Sequence, residues 1–170
     1  KIVSTVRRYL EDLGYLEVDT PSLQTVYGGA NARPFTTHHN AADIELYLRV
    51  SNELFLKRCI VGGLEKVFEF SRNFRNEGMD RTHNPEFTAV EFYESYADYN
   101  DMMVHFETIW EKSCLAANGT TEIEFMGQEI SLQAPWRRMT CYEALKEIGN
   151  LDVESMDDTA LQAEMKKLHV

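Results

Sequence analysis

The stretch Phe68–Tyr96, FEFSRNFRNEGMDRTHNPEFTAVEFYESY, decides the fold of this chain. Two apolar alternating runs enclose a charged, asparagine-rich loop, which is the pattern of an antiparallel hairpin. In the first arm Phe68, Phe70 and Phe74 share one parity and the polar residues share the other, as a half-buried strand requires. We therefore expect one face of the hairpin to be apolar and the other polar.

The polar face of the predicted hairpin has an unusual composition for a protein core. Arg75 and Glu77 continue the polar parity of the first arm, and Phe87, Glu91 and Tyr93 share one parity in the second arm. If the arms pair antiparallel, this face presents a guanidinium, two carboxylates, a phenol and a phenyl ring. Such a face indicates a site for a polar ligand.

The loop at residues 78–85 adds hydrogen-bond donors suited to phosphate, from Arg81, His83 and Asn84, beside a ring that would stack on a base, Phe87. The sequence contains no glycine-rich phosphate cradle of the Walker or Rossmann type, so this hairpin itself would have to bind a nucleotide. Two structural alternatives stay open for the charged residues: an internal ion pair, or cross-strand pairs on a solvated sheet face.

Composition limits the class of protein. A chain of 170 residues with 44% hydrophobic content can form one globular domain with a real core. The net charge is −11, and the acidic excess lies almost wholly in residues 91–170, so any RNA contact is expected to be local or to come from a further domain. No apolar run approaches the ~20 residues that span a bilayer.

The three cysteines are odd in number and widely spaced, at Cys59, Cys114 and Cys141. They lie in apolar helical patterns, which favours reduced core thiols and a cytoplasmic protein. The pair His38–His39 has no second cluster of ligand residues at metal spacing, so no metal site is expected in this chain.

The remaining pattern predicts an α+β fold, an antiparallel sheet flanked by helices. We expect helices at about 1–13, 51–63, 98–119, 142–149 and 158–168, and strands at about 15–21, 43–50 and 121–133, the last turning at Gly127. Ser51 or Asn52 is the expected cap of the second helix, and residues 28–42 are interpreted as a long functional loop. A methionine and aromatic stripe in the helix at 98–119 is expected to be core: Met102, Met103, Phe106, Ile109, Trp110 and Leu115.

The run FRNEG followed by THNPEFTAVEFYESYADYNDMM resembles the second signature motif of class II aminoacyl-tRNA synthetases, and specifically that of the lysyl-tRNA synthetases. Upstream, LGYLEVDTPSLQ resembles the first motif with its interface proline. The resemblance is close over about residues 1–115. It implies a partial class II catalytic domain over 1–170, with motif 1 at about 1–24, motif 2 at about 66–97 and a smaller helical and hairpin region at about 120–170.

The resemblance assigns the ATP half of a site. Arg75 is the motif arginine, expected to bridge the lysine carboxylate and the α-phosphate of ATP as the catalytic residue. Glu77 is expected to accept a hydrogen bond from the adenine amino group, and Phe87 to stack on adenine. His83 and Asn84 are expected at the distal phosphates and the ribose.

It also assigns the lysine half, in which Arg75 takes part. Gly29 and Glu53 match positions that receive the substrate α-amino group, and Glu91 and Tyr93 match those that read the side-chain ammonium. For Glu53 a plain alternative stays open, because a carboxylate in the first turn of a helix is favoured by the helix dipole.

The implied function is a lysine–tRNA ligase that activates lysine with ATP and Mg²⁺ and transfers it to tRNA(Lys), as a homodimer formed through motif 1. The sequence departs from the family pattern in lacking the third motif, its magnesium ligands and an N-terminal anticodon-binding barrel, and Thr82 replaces an arginine of some members. Because Lys1 is not an initiator methionine and the chain ends inside an apparent helix at residues 168–170, we expect a fragment that is inactive alone. Two alternatives are a relative that lysylates a translation elongation factor and a non-catalytic dimerising or regulatory module.

Overall fold

The fold of this protein combines helices with antiparallel strands, as the sequence pattern predicts. The computed structural model describes residues 1–168, so the two terminal residues, 169 and 170, on which the expected abrupt end falls, lie outside the described residues. The helices are α1 (Ile2–Asp12), α2 (Glu53–Val61), α3 (Tyr99–Asn118), α4 (Cys141–Glu147) and α5 (Asp158–Lys167). The strands are β1 (Leu16–Glu17), β2 (Leu23–Gln24), β3 (Thr36–His39), β4 (Ile44–Leu48), β5 (Lys66–Phe74), β6 (Glu86–Glu94), β7 (Glu122–Phe125) and β8 (Gln128–Ser131).

The central hairpin is formed by β5 and β6. The two strands pair antiparallel from Lys66 opposite Glu94 to Phe74 opposite Glu86, which confirms the predicted hairpin. Strand β1 joins the other edge of β5 in parallel, so this sheet has the order β1-β5-β6 and contains one parallel pair.

The apolar face of the hairpin packs against α1 and forms the core. Phe68 is fully buried beside Val6, Leu10 and Tyr15. Val6 and Leu10 are four residues apart, so they lie on the same face of α1 and reach the sheet together. Full burial of one such apolar side chain stabilises the fold by about 1.5–3 kcal/mol. This packing turns the opposite, odd-numbered face of β5 towards the site.

The long loop predicted at residues 28–42 is wrong in its second half. Residues 36–39 form β3, which pairs antiparallel with β4, and the short β2 pairs with the other edge of β4. Backbone pairing with β4 provides the hydrogen bonds that make TTHH a strand, although this segment is polar and each of its residues is exposed. Only residues 25–35 therefore remain available as an irregular loop near the hairpin.

Helix α3 begins with a capping box, in which the Asp98 carboxylate accepts from the backbone N–H of Asp101 and the Asp101 carboxylate accepts from that of Asp98. The expected core stripe is wrong for most of its members. Ile109 packs against the core, whereas Met103, Phe106, Trp110 and Leu115 are all exposed. Within unit 1 only one side of α3 faces α1 and the sheet, and a periodicity of 3.6 residues does not show which side that is.

The chain divides into two compact units, Lys1–Gln133 and Ala134–Val170. The β7–β8 hairpin, which turns at Gly127 as predicted, belongs to the first unit. In the second unit Thr140 and Glu143 form the predicted capping box of α4. All three cysteines are free, but only Cys114 is buried, and Cys141 at the start of α4 is exposed. Across residues 1–168, no helix is both long enough and apolar enough to cross a membrane.

Candidate active site

The two ends of the β5–β6 hairpin loop enclose a cavity of about 230 Å³. Its lining includes all five residues that the sequence analysis assigns to ATP: Arg75, Glu77, His83, Asn84 and Phe87. Arg75 and Glu77 follow β5, whereas the other three lie before or at the start of β6. The structure thus brings together side chains from both arms, as the parity of the arms predicts.

A guanidinium and an aromatic ring meet inside this cavity. The Arg75 Cζ lies 5.0 Å from the centroid of the Phe87 ring, within cation–π distance. The Nε of Arg75 donates to the carbonyl of Val50 at 3.5 Å, a long hydrogen bond. Among residues 1–168, Arg75 forms no salt bridge, so the internal ion pair considered from the sequence does not form. Its positive charge is free to meet an anionic ligand.

The irregular loop at residues 25–35 is joined to the segment after β5 by two hydrogen bonds, both at Arg33. The N–H of Asn76 donates to the carbonyl of Arg33 at 2.8 Å, and the N–H of Arg33 donates to the Glu77 carboxylate at 3.3 Å. A second, more open cavity of about 570 Å³ lies between this loop and residues 76–78. The loop therefore forms one wall of the candidate site.

The loop between β5 and β6 is folded around Asp80. The Asp80 carboxylate accepts hydrogen bonds from the N–H groups of Thr82 and His83, at 2.7 and 2.9 Å, and lies 2.8 Å from the Nδ1 of His83. The Thr82 N–H, followed by the His83 ring, holds the pKa of Asp80 well below its ordinary value. The imidazole is oriented with Nδ1 toward the carboxylate, which leaves Nε2 available to a ligand.

A second group of polar side chains lies further along β6. The Glu91 carboxylate accepts from the Tyr93 hydroxyl at 2.9 Å and from the Ser51 hydroxyl at 3.3 Å. Burial, followed by the charge of Glu91, raises the pKa of Tyr93 far above its ordinary value of 10, so the phenol stays protonated and donates. Glu91 thus has two neutral donors within reach and no cationic partner among the described residues.

Gly29 and Glu53 lie beside this second group. A Cβ atom placed on Gly29 would lie 3.0 Å from both the Cβ of Glu53 and the Oγ of Ser51. The Glu53 carboxylate pairs with Lys57, one turn further along α2, at 2.5 Å, and its backbone N–H donates to the Ser51 hydroxyl at 3.1 Å. Glu53 lies in the first turn of α2, as predicted, where the helix dipole favours its carboxylate.

The start of α2 is capped in part as expected, because the Ser51 hydroxyl accepts from the N–H of Glu53, the first residue of the helix, at 3.1 Å. Asn52 occupies the N-cap position of α2 without a side-chain cap, and its amide donates instead to the Glu69 carboxylate at 3.0 Å. The same Ser51 hydroxyl donates to the Glu91 carboxylate, so Ser51 links Glu53 to Glu91. Sequence reasoning did not identify Ser51 as a site residue, since a serine before a helix is first interpreted as a cap.

The polar face of β5 is buried rather than solvated. Glu69, Ser71 and Asn73 are each at most 2% exposed. The Nη1 of Arg49 forms a salt bridge with Glu69 at 2.8 Å. Arg49 is only 3% exposed. The alternative of cross-strand pairs on a solvated face is therefore wrong for this end of the hairpin. Sequence reasoning missed the Arg49–Glu69 pair because the two residues lie 20 positions apart.

No group of three or more His, Cys, Asp or Glu side chains within residues 1–168 is arranged to hold a metal ion. The carboxylates nearest the cavity, Glu77 and Asp80, are engaged by Arg33 and by the His83 turn. The described residues thus place one guanidinium without a salt bridge and one carboxylate with only neutral partners in the candidate site.

Comparison with known proteins identifies the class to which this fold and site belong. The family model described as tRNA synthetases class II (D, K and N) matches residues 1–169, and the chain belongs to this family. It is similar to the lysine–tRNA ligase of Porphyromonas gingivalis strain W83, with 53% identity over 169 residues, covering 99% of this chain and 29% of that protein.

Two further relatives carry the same name. The lysine–tRNA ligase of Clostridium botulinum strain Loch Maree is 51% identical over 170 residues, and that of Clostridium perfringens strain SM101 is 52% identical over 168 residues. The matches cover 99% and 98% of this chain, respectively, and 34% of each relative. The chain thus spans about a third of the length of the curated relatives that it matches.

Proposed function

We propose that the protein to which this chain belongs is a lysine–tRNA ligase. The observation that carries the proposal is the convergence of Arg75, Glu77, His83, Asn84 and Phe87 on one cavity, with Glu91 and Tyr93 further along the same strand. The names of the relatives, at 51–53% identity over almost the whole chain, support lysine as the amino acid. The proposed substrates are lysine, ATP and tRNA(Lys).

In the proposed activation step, a lysine carboxylate oxygen attacks the α-phosphorus of ATP and pyrophosphate leaves as the bond to the β-phosphate breaks. Arg75 would stabilise the negative charge that is shared between the carboxylate and the α-phosphate. Phe87 would stack on adenine while Glu77 accepts from its amino group. His83 and Asn84 would contact the distal phosphates and the ribose. The step depends on positioning and charge neutralisation and needs no covalent enzyme intermediate.

Selection of lysine would rest on the Glu91 carboxylate. Within the described residues this carboxylate has only neutral partners, so it is most strongly stabilised when a substrate ammonium group pairs with it. A substrate without the ammonium would leave a partly buried charge unpaired, which is a strong basis for discrimination. Gly29 and Glu53 would receive the α-amino group. The lysyl group would then pass to the 3′ end of the tRNA.

Mg²⁺ would accompany ATP and neutralise phosphate charge. The acidic ligands that it needs are not assembled within residues 1–168, so we assign no residue of this chain to the metal. We also propose a homodimer through motif 1, supported by the exposed apolar side chains of Ile2, Val3 and Leu16. A cytoplasmic location is supported by the three free thiols.

The test is lysine-dependent exchange of pyrophosphate into ATP by the complete gene product. We expect exchange with lysine and not with aspartate or asparagine, the substrates of the other family branches. Arg75→Ala should lower the rate by about 10²–10³-fold, as removal of one charge-stabilising donor typically does. Arg72→Ala is the matched control, because Arg72 lies three residues earlier on the opposite face and pairs with Glu86 at 2.6 Å. Preferential activation of aspartate or asparagine, or equal loss in both variants, would refute the proposal.

A further inference from the structure

We propose that the buried Arg49–Glu69 ion pair is a positioning device for the lysine half of the site, holding residues 49–53 so that Ser51 and Val50 meet Glu91 and Arg75. This inference rests on the proposed function. Neither residue is among those assigned to a substrate above, and both are buried.

The ion pair lies at the centre of a cluster of buried hydrogen bonds. Besides Arg49, the Glu69 carboxylate accepts from the N–H and hydroxyl of Thr20, at 3.2 and 2.7 Å, and from the Asn52 amide at 3.0 Å. The Arg49 guanidinium also donates to the carbonyls of Arg72 and Thr20, at 2.8 and 2.9 Å. The cluster thus ties together the segment after β1, the end of β4, the start of α2 and the strand β5.

Stability alone does not explain a pair of charges at this depth. The side chains of Arg49 and Glu69 are 4% and 2% exposed, and removing such ions from water costs several kcal/mol each. Well-packed apolar residues of similar volume often stabilise a fold equally or better. What the pair adds is a fixed geometry, because each of its hydrogen bonds has a defined direction and partner.

The segment held by the pair contacts the candidate site at successive residues. The carbonyl of Val50 accepts from Arg75, the Ser51 hydroxyl donates to Glu91, and the N–H of Glu53 donates to Ser51. The contacts to Arg75 and Glu91 are long, at 3.5 and 3.3 Å, whereas the Arg49–Glu69 contact is 2.8 Å. Long hydrogen bonds are weak and cannot set the position of the segment themselves. The short bonds of the buried cluster hold it, together with two backbone bonds at Arg49, from the Phe74 N–H to its carbonyl and from its N–H to the Ser22 carbonyl, both at 2.9 Å.

The pair also shapes the charge at the lysine site. Glu69 lies directly opposite Glu91 in the β5–β6 register, so their Cβ atoms are about 5 Å apart on one face. Arg49 neutralises Glu69, which leaves Glu91 as the one carboxylate of the two that can pair with a substrate ammonium. Converting Glu69 to a neutral amide leaves the Arg49 cation uncompensated next to that ammonium. Lysine affinity then falls even where the backbone is unchanged.

The test compares Glu69→Gln with Glu86→Gln in the complete gene product. Glu86 pairs with Arg72 on the other face of the same hairpin, near the loop, where both side chains are exposed, so its loss is a matched control for removing one carboxylate. We expect Glu69→Gln to raise the KM for lysine by about tenfold or more, with the KM for ATP changed less than about twofold, since the uncompensated Arg49 cation opposes the substrate ammonium and not the nucleotide. Glu86→Gln leaves both values near those of the wild type.

Three further variants separate positioning from folding. Arg49→Met removes the hydrogen bonds that hold the segment and leaves Glu69 as an extra anion, which by charge alone would favour the ammonium, so a raised KM for lysine in this variant reports lost positioning. Arg49→Lys keeps the charge without the full set of directed hydrogen bonds and should recover part of that loss. Ser51→Ala leaves the ion pair intact and should still raise the KM for lysine, so the proposal can be tested even if Glu69→Gln does not fold. Parallel rises of both KM values in Glu69→Gln, or an unchanged lysine KM in Ser51→Ala, would overturn it. If the wild type shows no lysine-dependent exchange, it is the proposed function that fails.

Discussion

Replacement of Gly29 by alanine tests how closely the loop at residues 25–35 must approach the lysine half of the site. Gly29 has a φ of +85°, in the left-handed region that an alanine adopts at a cost of about 1–2 kcal/mol. Its new Cβ would also lie 3.0 Å from both the Glu53 Cβ and the Ser51 Oγ. Both effects push the loop away from Ser51 and Glu53.

The expected loss of lysine affinity depends on whether the backbone strain is present in the free or in the lysine-bound protein. In the ligand-free protein the loop can relieve the strain by shifting, but lysine binding requires it to return. The strain of about 1–2 kcal/mol then opposes binding and corresponds to a dissociation constant for lysine raised by roughly 5- to 30-fold. The close contacts with Ser51 and Glu53 add to this value, so fivefold is the lower bound.

Two glycines of the same chain separate strain from crowding. Gly63 has a φ of +98° with no atom within 4 Å of an added Cβ, so Gly63→Ala carries the strain alone. Gly78 has open space and no such φ, so Gly78→Ala should carry neither. The assay is calorimetric titration of lysine into the complete gene product, with urea unfolding of each variant. A dissociation constant within twofold of the wild type for Gly29→Ala, alongside a measurable loss of stability in Gly63→Ala, would refute the reasoning.

Three other predictions concern nucleotide binding, the core and pH. Phe87→Ala should weaken ATP binding by about 5- to 100-fold, the loss of one base-stacking ring, while Phe87→Tyr should retain it; equal affinity of both variants for ATP in a titration would contradict this. Leu10→Ala should lower the free energy of unfolding by about 2–5 kcal/mol, against under 1 kcal/mol for the half-exposed Val3→Ala, as measured by urea denaturation. Burial alone would raise the pKa of Glu94, but the hydrogen bond from Lys66 helps to hold it below its ordinary value of 4.5; its contribution to stability is therefore present above that pH and lost as pH falls through the lowered pKa. The free energy of unfolding, measured between pH 3 and 6, should therefore depend less on pH in Glu94→Gln than in the wild type. The same pH dependence in both proteins would count against this prediction.

The hairpin and its two faces were predictable from the sequence because strand parity is a local property. Alternation places Phe68 and Glu69 on opposite faces whatever the rest of the chain does. The family resemblance then placed the ATP and lysine residues on the positions that the structure groups together. Parity could not show what covers each face, because covering residues come from distant parts of the chain.

The buried polar network shows this limit most clearly. Arg49 ends an alternating apolar run and Glu69 lies in the middle of another, and neither position by itself suggests burial. Their pairing depends on how β4 meets β5, which is a long-range contact. The strand β3 was missed for a related reason, because its polar residues form a strand only when β4 is present as a partner. The methionine and aromatic stripe of α3 was wrongly predicted to be core, because helical periodicity shows which residues share a face but not whether that face meets the core or the solvent.

The division of β5 and β6 into an apolar and a polar face constrains how this gene can change in length. Deletion or insertion of one codon within residues 66–74 would exchange the faces beyond it, moving phenylalanines into the site and carboxylates into the core. Length changes in multiples of two would keep the faces but shift every cross-strand partner. The segment at 78–82 lies outside the ladder and is free of this constraint. Natural and engineered length variants of this hairpin should therefore concentrate in that short segment, and the paired strands should vary by substitution alone.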